Sequence, residues 1–465
     1  MSLVDILEPV LSGGIRNTNF FNGRILAAED LTDFQTANAR QHQQLARAIG
    51  DGVAYGLQVR VTSSSATQSV LHVTQGLALN RKGQAVALPA DVDLALVPQA
   101  EVEDAEAGLF AVCQPPQIPI LTNPGLYVLT LMPASQLSKE SAPKTEVFDD
   151  GAATTCGSRY VDEGAKFRTV ALDLGTSPDP NSLAGQALNL ATQLDLLRTQ
   201  LAKTSGAAAD NLRAQIAPRM SRFRNCAAHL CFGTEQFANF PANPFGRSNG
   251  SSLFDEYGAI DHLHDLAKLT DCEVPLALLY WTNTGLQFVD MWSVRRPVFP
   301  PTASDAWAPL AGRRRAVEGL AMFLQFQCHL AGLLTAIKSA SALASVVAAD
   351  YFAYLPATGF IPVGGAKSSI GLDYQRFFQG HTYRDPVFIE GAKLETLVHT
   401  SLLLPPINLG SGEMFWLYRL RENMQAVAGA TINLPQPCLI FANGHIRYEG
   451  NAQYDLNYWD YANYA

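Results

Sequence analysis

The chain has 465 residues, 48% hydrophobic and 16% charged, which supplies cores for two to four domains and excludes a disordered protein. With 33 basic against 42 acidic side chains the formal net charge is -9, so there is no basic footprint for phosphate backbones and nucleic acid is not an expected partner. Low charge density with 35 Gly and 26 Pro suits a protein that buries large faces against other subunits, and suits a large core equally.

The opening "MSLVDILEPVLSGG" has no basic stretch followed by a long apolar one, so no signal peptide is expected and synthesis is expected to leave the chain in the cytoplasm. Seven scattered cysteines (Cys113, Cys156, Cys226, Cys231, Cys272, Cys328, Cys438) fit reduced, buried thiols better than a disulfide framework. Next, "NFFNGRILAAEDL" (Asn19 to Leu31) sets two aromatics, an Asn-Gly turn and an arginine ahead of a helix start, with Glu29 and Asp30 where the helix dipole favours acids. Leu31, Phe34, Asn38, Gln41, Leu45 and Ile49 follow at three- and four-residue spacing, the stripe of an amphipathic helix. Polar Asn38 and Gln41 in that seam suit the register-setting layer of an oligomeric coiled coil, or a stripe lying partly wet on its own domain.

Glycines in "GDGVAYGLQVRVTSS" end the helix, and Leu57, Val59 and Val61 alternate as in a half-buried strand. "SVLHVTQGLALN" and "QAVALPADVDLAL" read as a hairpin about Arg81, Lys82 and Gly83. Leu126 to Ser135 and Ala165 to Leu174 read as strands, with the polar stretch between them a surface excursion. From about Ser177 the period becomes helical, giving an αα-hairpin of Leu183 to Leu201 and Ala208 to Cys231. An aromatic, Pro/Gly/Asn-rich loop then leads to a second β-hairpin, Val274 to Trp281 and Leu286 to Val294.

A long helix is expected over about Asp305 to Ala349. Gly319 to Ile337 is long enough to span a bilayer, but Gln325, Gln327 and His329 favour a core helix. "YFAYLPATGFIPVGG" reads as a loop, followed by short helices near Asp373 to Phe378 and Lys393 to Leu403 and strands in "EMFWLYRLREN" and "PCLIFANGHIRYEG". The aromatic end, with Trp459 and Tyr461, is expected to dock on its own chain or a neighbour. The fold class is therefore α+β and multidomain. Residues 1–100 form an N-terminal attachment module of a helix and β-hairpins, 101–176 a β-rich part, 177–250 a helical hairpin with an aromatic loop, and 251–465 a C-terminal α+β part with the long helix.

Motifs with a mechanism are scarce. "VGGAKSSI" lacks the spacer and preceding strand of a phosphate cradle. In "NCAAHLCFG", helix spacing turns Cys231 away from Cys226 and His229, which favours buried thiols and a hydrogen-bonded imidazole over zinc. "DEYGAIDHLHDLAKL" gathers Asp261, His262, His264 and Asp265, a set that could hold a divalent metal or act as an acid/base pair. The same pattern fits a solvated helix face with Leu263, Leu266 and Leu269 turned inward. Arg295, Arg296 and Arg313 to Arg315 suit either acidic partner surfaces or solvent-facing element ends. No catalytic residue, cofactor or metal is expected.

One resemblance adds to this. "NFFNGRILAAEDLTDFQ", "GDGVAYGLQVRV" and "GLALNRKGQAVALP" resemble a module of bacteriophage tail and contractile injection system proteins. Its pattern is F-x-G-R-x-L-x-x-x-D-L-x-x-x-Q, a helix, G-x-G-V-x-x-G-L and a hairpin with G-x-A-L-x-x-x-G. Phe21, Gly23, Arg24, Leu26, Asp30, Leu31 and Gln35 match the first part and Gly56 and Leu57 the turn, while Gly52 and Val53 keep only part of the glycine-valine step. "CEVPLALLYWTNTGLQFVDMWSVRRPV" and "YFAYLPATGFIPV" are similar to stretches of large proteins from the same setting.

The resemblance implies a structural, non-enzymatic, baseplate-associated component of a phage tail-like particle. Its partners would be baseplate, spike or sheath subunits, its copies related by three- or six-fold symmetry, and its membrane contact only indirect. Phe20, Phe21, Arg24, Leu31, Phe34, Asn38, Gln41, Trp459 and Tyr461 are then the expected interface residues. Two alternatives are a receptor- or glycan-binding appendage using Phe237, Phe240 and Phe245, and a metal-dependent hydrolase at Asp261 to Asp265.

Overall fold

A computed structural model describes residues 14–23, 27–64, 69–96, 123–141, 157–175, 177–235, 258–299, 314–363, 371–420 and 438–444, without the side chains of 137–141, 157–159 and 265. The chain is α+β and multidomain, as expected. Helix α1 (Ala28–Ile49) leads into six short strands, β1 (Gly52–Gly56), β2 (Val59–Ser64), β3 (Ser69–Val73), β4 (Gly76–Leu79), β5 (Ala85–Leu88) and β6 (Val92–Leu96). They form two antiparallel three-stranded sheets, β1-β4-β5 and β2-β3-β6, and the expected hairpin about Arg81 to Gly83 is β4-β5.

Strands β7 (Gly125–Ser141) and β8 (Gly157–Leu172), helices α2 (Leu183–Leu201), α3 (Ala207–Phe232) and α4 (Ala259–Asp265), and strands β9 (Val274–Thr282) and β10 (Gly285–Asp290) make the centre. Its sheet runs β10-β9-β7-β8, antiparallel throughout, so it draws strands from both sides of the helical hairpin. Because side chains alternate across a strand, Tyr127, Leu129 and Leu131 pack with Val53, Leu57, Leu71 and Val73 of the N-terminal sheets. Leu126 and Val128 pack on the other face with Leu183, Ala187, Leu194 and Phe223 of the helical hairpin. A strand buried on both faces has no polar alternation, which explains the unbroken "LYVLTLM". A bulge in β9 skips Leu276 between the partners of Leu129 and Thr130, so Leu276 and Ala277 both join the N-terminal cluster.

The expected surface excursion after Ser135 is in part strand. β7 and β8 stay paired out to Ser141 and Gly157, although β9 pairs β7 only as far as Leu131. Beyond that point the ribbon is two-stranded, and Tyr160 and Val161 are exposed. Residues 160–164 of the ribbon all face solvent, so they carry no hydrophobic period for a sequence reading to find.

In the C-terminal part, α5 (Arg314–Ala336) precedes short helices α6 (Ala340–Ala344) and α7 (Ala348–Tyr351), strands β11 (Tyr354–Leu355) and β12 (Thr358–Pro362), and α8 (Tyr374–Phe377). Strand β13 (Val387–Ile389), α9 (Leu394–Ser401), β14 (Ile407–Asn408), β15 (Trp416–Leu420) and β16 (Cys438–Ala442) follow. The sheet order is β12-β16-β15-β13, with β13 parallel to β15. Phe326 and Leu330 of α5 cover one face with Leu417, Leu439 and Phe441, while Leu397 of α9 covers Tyr418 and Ile440 on the other.

Two expectations fail here. The long helix ends at Ala336 instead of reaching Ala349, since the Lys338-Ser339 step breaks it and Ser339 starts α6; residues 305–313 lie outside the described set. The supposed loop at 351–365 contains β12, an edge strand that tolerates Pro362 at its end. Helix α5 is long and apolar enough to cross a membrane by length and composition. Its Gln325 and His329 are nevertheless buried within the chain and bonded to Asp290 and Ser221, as in a core helix.

Candidate interaction surface

One corner of the N-terminal module is tied to the body by a buried arginine, in addition to the shared hydrophobic core. Gly56 (φ 64°) and Leu57 (φ 53°) are consecutive left-handed residues, and a Cβ on Gly56 would collide with the Gln75 carbonyl. Both carbonyls turn inward and accept from the Arg295 guanidinium, Gly56 O from Nη2 and Leu57 O from Nη1, each at 2.6 Å. Arg295 is buried, and burial pulls its pKa down to about 10. Alongside, Val53 N donates to Arg296 O at 2.9 Å, and Arg296 pairs with Glu318 of α5 at 2.7 Å. Arg295 and Arg296 are therefore internal braces and neither partner-facing nor solvent-facing ends. Nothing in "SVRRPV" marks this, because the acceptors lie more than 200 residues upstream.

Helix α1 meets the β4-β5 turn of this module at Gln43. Gly83 (φ 77°) lies so close to α1 that a Cβ would strike the Gln43 carbonyl, and Ala37 is the buried residue of the helix. Asn22-Gly23 forms the expected turn. Asp30 folds back to accept from Ala27 N at 3.1 Å, capping the first turn. Phe20 crosses the turn to meet Phe34 edge-on, with ring centroids 6.0 Å apart.

The amphipathic stripe points away from the body. Leu31, Phe34, Leu45 and Ile49 are 51%, 43%, 66% and 59% exposed, with Phe20 at 48% and Phe21 at 63%. Asn38 is half-buried and Gln41 exposed on the same side. No α1 residue belongs to any buried hydrophobic cluster among the described residues. The structure thus brings together six of the nine expected interface residues, Phe20, Phe21, Leu31, Phe34, Asn38 and Gln41. Arg24, Trp459 and Tyr461 lie outside the described residues, as do Phe237, Phe240 and Phe245 and residues 364–370 of "VGGAKSSI".

The groups considered for chemistry are tied into the interior. Asp261 is bonded to both Arg81 and Arg314, where the β4-β5 hairpin, α4 and α5 meet around a cavity of about 80 Å³. It is a brace between elements rather than part of a solvated face. His262 points to solvent, whereas His264 turns to the cavity, its pKa pulled down to about 4 chiefly by burial. Leu263 and Leu269 are buried as expected, but Leu266 is 51% exposed because the helix stops at Asp265. The Asp265 side chain is outside the described set. No three His, Cys, Asp or Glu residues converge as metal ligands among the described residues.

Cys226 and Cys231 are buried thiols pushed up to about 12, and His229 bonds Thr234 at 2.7 Å. Cys272 departs from the expectation of reduced thiols, being disulfide-bonded.

A second polar system joins the two halves. Asp290 accepts from Arg224 Nε at 2.7 Å, Gln325 Nε2 at 2.8 Å and Ser293 N at 3.1 Å. Burial opposes its charge, but Arg224 and these donors prevail and hold its pKa below the usual carboxylate value. Asn225 accepts from Ala353 N and Tyr354 N, and donates to Tyr354 O. These polar spokes give α3 a structural task and leave no open nucleophile or acid among them.

No protein-family profile and no curated protein matches the chain. Among solved structures, it is similar to a chain of the type VI secretion system TssK-TssF-TssG baseplate subcomplex, with 11% identity over 55% of this chain and 99% of that one, at a TM-score of 0.19. A score that low establishes neither a shared fold nor a shared role.

Proposed function

We propose that the protein is a structural component of a contractile injection system or phage tail-like particle, associated with its baseplate and acting through subunit interfaces without catalysis. The observation that carries this reading is the apolar face of α1 with Phe20 and Phe21, turned outward on the module that bears the motif resemblance. A row of large apolar side chains that no described residue of its own chain covers marks an interface. The buried braces around Arg295, Asp261 and Asp290 suit a rigid body that presents the face. Assembly in the cytoplasm with other particle subunits belongs to the same reading.

The test is made on particles purified from producing cells. The chain is expected in stoichiometric amount with sheath and tube, and Phe21→Ala and Leu45→Glu should lower its incorporation while the soluble protein keeps its near-ultraviolet circular dichroism. Complete, contractile particles assembled in its absence would overturn the assignment.

A further inference from the structure

The face of α1 has a symmetry that says what covers it. Leu31, Phe34, Asn38, Gln41, Leu45 and Ala48 follow at alternating steps of three and four, with the two amides in the middle and apolar residues outside them, the last being the small Ala48 with Ile49 beside it. The pattern is its own reverse about the point between Ala39 and Arg40. We propose that α1 pairs antiparallel with α1 of a second copy of this chain, about a local twofold axis at that point. This deepens the reading above by naming the occupant of the interface.

In that pairing Phe34 of each copy packs on Leu45 of the other, and Leu31 on Ala48 beside Ile49. Asn38 meets Gln41 twice across the axis, where each amide can donate to and accept from the other. Sliding the helices by one heptad sets Asn38 against Phe34 and Gln41 against Leu31, or Asn38 against Ala48 and Gln41 against Leu45, and leaves the amides unpaired, so the central layers fix the register.

Charge selects the direction. The first half of α1 carries Glu29, Asp30 and Asp33 and no base, and the second carries Arg40, His42 and Arg47 and no acid. A parallel pair sets acid beside acid and aligns the helix dipoles, whereas an antiparallel pair sets each acidic half beside a basic one and opposes the dipoles. The surface is also large enough. Phe20, Leu31, Phe34, Leu45 and Ile49, 43% to 66% exposed and at roughly 150–200 Å² each, offer roughly 400–530 Å² per chain and roughly 800–1,050 Å² for the pair, and Asn38, Gln41 and Ala48 add to this toward the lower bound of specific interfaces. Phe20, resting on Phe34, extends this patch toward Ile49 of the second copy. A twofold pair of this kind can be the unit that a three- or six-fold particle repeats.

The full chain is tested by sedimentation and by a photoreactive phenylalanine placed at Phe34. A dimer in solution is expected, with cross-links from position 34 to the segment around Leu45 of a second chain, confirmed with mixed isotope-labelled protein. Leu45→Glu should weaken the dimer at least tenfold. Arg40→Glu with Arg47→Glu should weaken it less, and adding Glu29→Lys and Asp33→Lys should restore it.

A monomer at high micromolar concentration overturns the proposal. Cross-links from position 34 to position 34 overturn the antiparallel direction, and cross-links confined to one chain show that a segment of the same chain covers the face. A dimer that never enters particles sinks only the particle assignment, whereas particles in which α1 cross-links to a different protein sink only the pairing.

Discussion

Replacing Arg295 by methionine tests whether the Gly56-Leu57 corner holds the N-terminal module to the body. The side chain is buried, and its two bonds of 2.6 Å end on carbonyls that have turned away from their own sheet. Hydrogen bonds from a charged group contribute about 1.5–3 kcal/mol each, and unmade buried partners keep their desolvation cost. Burial also disfavours the cation itself, as the fall in its pKa to about 10 shows, so methionine recovers part of the loss. The expected net destabilisation is about 2–4 kcal/mol, confined to the attachment of the module.

Because a multidomain chain does not unfold in one step, global denaturation is the wrong assay. Native-state hydrogen exchange read by mass spectrometry isolates the peptides of residues 52–96, where that energy corresponds to roughly 30- to 1,000-fold faster exchange. Lysine at 295 should recover only part of the protection, since an ammonium lacks the fork that reaches both carbonyls. Unchanged protection of 52–96 in Arg295→Met would show that the shared core and the other polar ties, such as Arg81 to Asp261 and Asn80 to the Cys272 carbonyl, hold the module and that the arginine fork is incidental.

Stability should fall on mild acidification, because burial drives the pKa of His229 down to about 3 and that of His329 well below its usual value. Both are neutral in the folded state and titrate near 6.5 when unfolded. Their contribution is complete above that pH and is lost as pH falls, for His229 by about 2 kcal/mol at pH 5. Native-state hydrogen exchange of residues 207–232, corrected for the intrinsic rate, should show a flatter dependence of protection on pH for His229→Gln, and a dependence equal to that of the parent would count against this account. Gly83→Ala forces a side chain toward the Gln43 carbonyl at a positive φ, so exchange in α1 should accelerate while residues 274–290 stay protected. Equal protection of α1 in the variant would mean that the helix is held elsewhere.

What the sequence determined is local. The helical period places α1, α2 and α3, the Asn-Gly and Arg-Lys-Gly turns appear where the residues put them, and the apolar run from Leu126 marks a strand. The outward stripe was legible as a stripe, but not as uncovered, since the same spacing serves a helix packed on its own domain. Only the tertiary structure decided that Arg295 reaches back more than 200 residues to Gly56 and Leu57, that Asp261 bonds two arginines, and that the β7-β8 ribbon extends beyond its sheet. Each depends on partners distant in sequence or on a segment whose residues face solvent. A periodic pattern records how a segment is buried, not which segment buries it.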